Sequence, residues 1–281
     1  MTVTSHYVVV LERELHYTEW GRGNAESIVM WHGLARTGRD FDDIAASLAR
    51  HYRVICPDTI GRGLSQWSPE PDAEYCLAFY ARQAAAFCDA LHVGRMHWIG
   101  TSMGGALGIK LASRKGGALA GRIDKLVLND NGPQLADAAI DRIKRYAANP
   151  EVFARVSELE AYFRKVYAPY GVLTEREWVK LTETSVRRLP DGRVTPHYDP
   201  NMVRQFVNFP DDYSLWPEYD ALDIPVLCLR GADSDLLLAA TAQAMRERGP
   251  RARVVEIAGC GHAPALNVPG QIGLVEAFLA S

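Results

Sequence analysis

Ile99-Gly100-Thr101-Ser102-Met103-Gly104-Gly105 is the stretch that decides how this chain folds. It has the form G-x-S-x-G. The apolar run Met96-His97-Trp98-Ile99 before it reads as a strand, and Ala106-Leu107-Gly108-Ile109-Lys110-Leu111-Ala112 after it reads as a helix. A serine caught between the two sits on a tight, strained turn, with its hydroxyl standing clear at the carboxyl edge of a sheet. Glycine is required on both sides, because a Cβ at Gly100 or Gly104 would collide with the neighbouring element. The following helix turns its N-terminal N–H groups toward the serine, an arrangement that favours developing negative charge.

The flanking chain repeats the same rhythm. Residues 7–11 and 15–19 alternate like two short antiparallel strands, and Ser27-Ile28-Val29-Met30-Trp31 is a nearly all-apolar strand ending at His32-Gly33-Leu34-Ala35. Residues 41–48 carry a helical stripe, 52–56 a strand, and 73–91 a long helical pattern. Strands follow at 125–129, 224–230 and 252–257, with helices at 239–248 and 272–279. Between them the texture changes. Amphipathic helical stretches at 137–148, 151–167 and 175–188 are joined by Pro-, Gly- and Asp-rich pieces, with no strand run of the earlier kind. Alternating strands and helices imply an α/β fold with a mostly parallel sheet flanked by helices on both faces. Residues 1–132 and 223–281 would form the core domain, and 133–222 a helical insertion covering it.

Composition narrows the function classes. A chain of 281 residues with 48% hydrophobic and 23% charged residues can bury a substantial core. A net charge of −3 offers no basic surface for nucleic acid. No apolar run approaches the length of about 18–20 residues needed to span a bilayer. The N-terminus shows no basic segment followed by an apolar core, so cytoplasmic residence is the simplest expectation. Five scattered cysteines with no C-x-x-C pair suggest neither a disulfide framework nor a zinc site. The loop Asp58-Thr59-Ile60-Gly61-Arg62-Gly63-Leu64-Ser65 lacks the lysine of a phosphate loop. Its glycines read as turns, and Arg62 as a partner for nearby carboxylates.

In parallel α/β sheets the site lies beyond the carboxyl ends of the strands. Ser102, His32-Gly33 and the loops after residues 230 and 257 all fall there. A serine hydroxyl needs an adjacent base, and His262, in Gly259-Cys260-Gly261-His262-Ala263-Pro264, is the best placed histidine. The base needs an acid. Gly231-Ala232-Asp233-Ser234-Asp235-Leu236-Leu237-Leu238 offers two aspartates. Asp235 is preferred over Asp233 because the apolar run after it would fix its backbone, and Asp130 ranks third. The backbone N–H groups of Met103 and Leu34 are the expected oxyanion donors. Arg36, Tyr162 and Trp178 are candidate substrate-binding residues, with Phe153, Phe163, Tyr167 and Phe206 as further aromatic liners.

On these residues the sequence resembles the α/β-hydrolase superfamily over essentially its whole length. The order Ser102, Asp235, His262 is similar to that superfamily's nucleophile–acid–base order. His32-Gly33 resembles its oxyanion loop, Asp58-x-x-Gly61-x-Gly63-x-Ser65 a loop frequent in it, and 133–222 its helical cap. Two aspartates sharing one loop depart from its usual G-x-x-D pattern. The resemblance implies a serine hydrolase that cleaves a small carboxylic ester or lactone through an acyl-enzyme, with no metal and no organic cofactor. The partner would be a small-molecule substrate, with neither nucleic acid nor membrane involved. A carbon–carbon bond hydrolase and a non-enzymatic receptor for a small ligand are the alternatives on the same fold.

Overall fold

The computed structural model describes residues 2–281. Its strands are β1 (Thr4–Val10), β2 (Arg13–Trp20), β3 (Ser27–Trp31), β4 (Arg53–Pro57), β5 (Met96–Thr101), β6 (Ile123–Asn129), β7 (Val186–Arg188), β8 (Val194–Pro196), β9 (Val226–Gly231) and β10 (Arg253–Ile257). The helices are α1 (Asp42–Leu48), α2 (Pro71–Glu74), α3 (Leu77–Ala90), α4 (Met103–Ala112), α5 (Asp137–Ala148), α6 (Val156–Val166), α7 (Glu175–Glu183), α8 (Gln205–Asn208), α9 (Trp216–Asp220), α10 (Ala239–Glu247) and α11 (Pro269–Ala280). Eight strands form one sheet in the order β1-β2-β4-β3-β5-β6-β9-β10. Its β1–β2 and β2–β4 pairs are antiparallel, and all later pairs are parallel. The α/β architecture expected from the sequence is the one observed.

Side-chain alternation explains the two layers of helices. Val29, Trp31, Trp98, Leu126 and Leu128 face one way, into a core completed by residues of α3 and α4. Ile28, Met30, Ile99 and Val127 face the other way, onto α1 and α11. Helix α4 lies in the middle of the molecule, with nine of its ten residues buried. It can lie so close to the sheet because glycine lines its inner face. A Cβ on Gly104 would fall 1.9 Å from the Trp31 carbonyl oxygen, and one on Gly100 would fall 2.1 Å from the Gly104 carbonyl oxygen. The collision expected from the sequence is therefore severe on both sides of Ser102.

Three local expectations need correction. The helical pattern at 73–91 is broken at Tyr75-Cys76, where the Tyr75 phenol turns inward to donate a hydrogen bond to Asp199. The pattern at 175–188 stops at Glu183, and the chain continues as β7, paired antiparallel with β8. The segment between β6 and β9 thus contains a small ribbon as well as helices. Arg62 is fully buried but meets no carboxylate. Its guanidinium donates to the carbonyls of Leu34 and Ile60 and to the Tyr80 hydroxyl, and it packs over the Tyr75 and Tyr80 rings.

Asp58 anchors the loop after β4. Its carboxylate accepts from the N–H groups of Gly38 and Leu64 and contacts His16 Nδ1 at 2.7 Å. Burial alone would raise the Asp58 pKa, but the hydrogen bond and charge of His16, with His32 and the Leu64 N–H, together outweigh it and the carboxyl lies below its usual range. No helix among the described residues is long and apolar enough to cross a membrane.

Candidate active site

Ser102 ends β5 and begins α4. Its backbone has φ +52° and ψ −117°, a left-handed conformation that a serine adopts only under strain. The strain is held from both sides. The Ser102 N–H donates to the Asn129 carbonyl, and the Ser102 carbonyl accepts from the N–H groups of Gly105 and Ala106. The hydroxyl is thereby fixed at the sheet's carboxyl edge, 3.0 Å from His262 Nε2.

The other imidazole nitrogen, His262 Nδ1, lies 2.7 Å from Asp130 Oδ2. Asp130 follows β6, the strand next to β5, and is fully buried. Its two oxygens also accept the Gly231 N–H at 2.8 Å and the Ser234 hydroxyl at 2.5 Å. The acid expectation is therefore corrected. Asp235 lies outside this cluster, half exposed, with its carboxylate gripped by Arg142 Nε and Nη2 at 2.9 Å each. Burial of Leu236 and Leu237 does fix the backbone there, but it turns the Asp235 side chain outward. Asp233 is exposed as well. The loop expected to supply the acid instead supplies hydrogen-bond donors to Asp130, through Gly231 and Ser234.

Leu34 lines a cavity together with Ser102, and Met103 follows Ser102 in the chain. The backbone N–H groups of Leu34 and Met103 have no backbone acceptor among the described residues. Met103 is the first residue of α4, where an N–H has no partner within the helix. The Leu34 loop is held from behind. His32 Nδ1 donates to the Gly33 carbonyl, and Nε2 accepts the Thr59 N–H. Accepting that N–H requires a neutral ring, and burial pushes the His32 pKa down to about 4. Arg62 grips the Leu34 carbonyl at 2.9 Å and reaches the Met103 sulfur. Its contact with both residues was not readable from the sequence, where the loop looked like glycine turns.

A cavity opens beside Ser102 and His262. Its floor is Gly33, Leu34, Arg36 and Thr101, and its roof is Arg142, Tyr146, Tyr167 and Tyr170 from the segment between β6 and β9. Arg36, a candidate from the sequence, does line it. Tyr162 and Trp178 do not. Trp178 is buried with Leu159, Phe163 and Tyr167 in an apolar cluster of the segment between β6 and β9, and Tyr162 packs against that cluster, its ring beside Phe153 and Phe163. Both serve that segment's own packing, because short amphipathic helices need aromatic area to hold together. Among the described residues no group of three His, Cys, Asp or Glu side chains is placed to hold a metal ion.

The sequence pattern of the alpha/beta hydrolase fold family matches residues 26–267. The chain belongs to the α/β-hydrolase family. It is 38% identical over 272 residues to a 3-hydroxybutyrate-oligomer hydrolase of Cupriavidus necator, covering 93% of this chain and 91% of that protein. Among solved structures, a candidate hydrolase from Rickettsia typhi superposes with a TM-score of 0.89 at 28% identity, covering 100% and 99% of the two chains. An α/β hydrolase from Novosphingobium aromaticivorans superposes with a TM-score of 0.87 at 29% identity, covering 99% and 98%. In this α/β hydrolase, nucleophile candidate, imidazole and carboxylate come from the ends of β5, the loop after β10 and the end of β6.

Proposed function

We propose that this chain is a serine hydrolase that cleaves small carboxylic esters through an acyl-enzyme, with short esters of hydroxy acids as its substrate class. The observation that carries the proposal is the unbroken contact from the Ser102 hydroxyl through His262 to buried Asp130. Asp130 holds the proton on His262 Nδ1, so Nε2 is left basic and faces Ser102. Ser102 Oγ attacks the ester carbonyl carbon while its proton passes to Nε2. The N–H groups of Leu34 and Met103 take the charge that develops on the carbonyl oxygen. The bond to the alcohol oxygen then breaks, and the alcohol leaves with the proton from His262. Water repeats the sequence, giving up a proton to His262, and the acid is released with Ser102 restored. The substrate class is supported by the relative named for hydrolysis of 3-hydroxybutyrate oligomers, in which successive units are joined by esters.

Turnover of p-nitrophenyl butyrate tests the reaction. Wild type should run for many cycles, and Ser102→Ala should lose on the order of 10⁴- to 10⁶-fold in kcat. Equal turnover by both proteins refutes the role of Ser102. A single stoichiometric burst without further cycles would instead mark a receptor.

A further inference from the structure

The roof and floor of the cavity beside Ser102 share one chemical trait. Arg36 and Arg142 and the tyrosines Tyr146, Tyr167 and Tyr170 line it, and no Asp or Glu is among the lining residues. Guanidinium groups only donate hydrogen bonds, and neutral phenols readily do so. Burial pushes the pKa of Tyr146 and of Tyr170 up, so both stay protonated at neutral pH.

The two arginines are not equivalent. Arg142 is half exposed and already engaged by Asp235. Arg36 is only 4% exposed. One edge of its guanidinium is taken by Asp40, with Nε to Oδ2 at 2.8 Å and Nη2 to Oδ1 at 2.5 Å. The Tyr167 ring covers its face, with the centroid 4.6 Å away. The opposite edge is unused. Nη1 is buried and has no hydrogen-bond partner among the described residues. A charged donor buried without an acceptor is unfavourable. Asp40 and the Tyr167 ring hold the group rigidly in place all the same, and an incoming carboxylate would supply the missing acceptor in the fork geometry that arginine favours. Arg36 and Ser102 line the same cavity on either side of Gly33. A Cβ built on Gly33 would lie 3.5 Å from Ser102 Cβ and 3.9 Å from Arg36 Cγ.

Building on the ester-hydrolase reading above, we infer that Arg36 determines specificity. Its unused edge, with the Tyr146 and Tyr170 hydroxyls, receives a free carboxylate, so the preferred substrates are esters that end in one. Short hydroxy-acid oligomers have that form, whereas simple alkyl esters do not.

The experiment compares the linear dimer of 3-hydroxybutyrate with its terminal carboxamide, which keeps the scissile ester and the shape but removes the charge. Wild type should favour the acid by roughly 10- to 100-fold in kcat/KM, the range of one hydrogen-bonded charge contact. Arg36→Ala and Arg36→Met should bring that ratio close to one, chiefly through a higher KM for the acid. A wild type that turns over p-nitrophenyl butyrate but treats acid and carboxamide alike overturns the inference and leaves the ester reading standing. So does a ratio that survives in both variants. A wild type that turns over no ester at all overturns the ester reading, and the inference falls with it. The wild-type ratio decides the matter even if neither variant folds.

Discussion

Asp130→Asn is the sharpest perturbation available, because Asp130 is fully buried and its surroundings dictate how an amide would sit. The carboxylate accepts at both oxygens, from Gly231 N–H and Ser234 Oγ–H and toward His262 Nδ1. The Gly231 N–H can only donate, so an asparagine must keep its carbonyl oxygen there. Its NH₂ group then faces Ser234 and His262. Ser234 Oγ already accepts the N–H groups of Leu236 and Leu237, so its hydroxyl and the new NH₂ meet as two donors, a local cost in stability. His262 can accept only by moving its proton from Nδ1 to Nε2, and the nitrogen facing Ser102 is then no longer a base. The expected loss is about 10⁴-fold in kcat, the size typical of a wrong tautomer, or roughly 5 kcal/mol of transition-state stabilisation. KM should change little, since Asp130 is not among the residues lining the cavity. Asp235→Asn is the matched control. It weakens only a half-exposed pair with Arg142, a contact contributing about 0–1 kcal/mol, so kcat should stay within about threefold. Steady-state hydrolysis of p-nitrophenyl butyrate, with circular dichroism to confirm folding, measures both. A folded Asp130→Asn protein that loses less than about tenfold, or a larger loss from Asp235→Asn, refutes the reasoning.

Two other perturbations test the support of the site. Arg62→Met should strip donors from the buried carbonyls of Leu34 and Ile60. That should destabilise the protein by about 2–4 kcal/mol and lower kcat as the Leu34 loop loosens; an unchanged Tm with unchanged kcat would show that Arg62 supports neither. His32 should make stability depend on pH. Its folded pKa of about 4 lies below the ordinary 6.5, so the unfolded chain binds the proton more readily. Stability is complete above about pH 6.5 and declines as pH falls toward 4, by up to roughly 3 kcal/mol. Urea unfolding at pH 7.5 and 5 should show the decline, and His32→Asn should flatten it; an equal slope in both proteins contradicts the assignment.

The architecture was legible because its signals are local. An all-apolar run such as Ser27–Trp31 can hardly be anything but a buried strand, and two glycines around Ser102 announce a helix pressed against a sheet. Ser102 and His262 were legible for the same reason, each being marked by its own glycine-rich turn. The acid was not. What makes Asp130 the partner of His262 is that β6 lies beside β5, a fact of sheet order that no window of sequence contains. The loop with two aspartates drew attention through local polarity, while the group that mattered sat at the end of an ordinary strand. Arg62 illustrates the same limit. A buried arginine satisfied by carbonyls and phenols leaves no pattern in the chain, since its partners, from Leu34 to Tyr80, are assembled only by folding.

The position of Asp130 ahead of the long excursion between β6 and β9 sets the order in which the contact is assembled during synthesis. Hydroxyl and carboxylate are made first, on neighbouring strands, and the imidazole follows 132 residues after Asp130. A chain halted before β10 would hold the strained Ser102 turn with no imidazole beside it. The Ser102–His262 contact forms only once β10 has paired with β9 and the loop after it has folded back over the sheet edge.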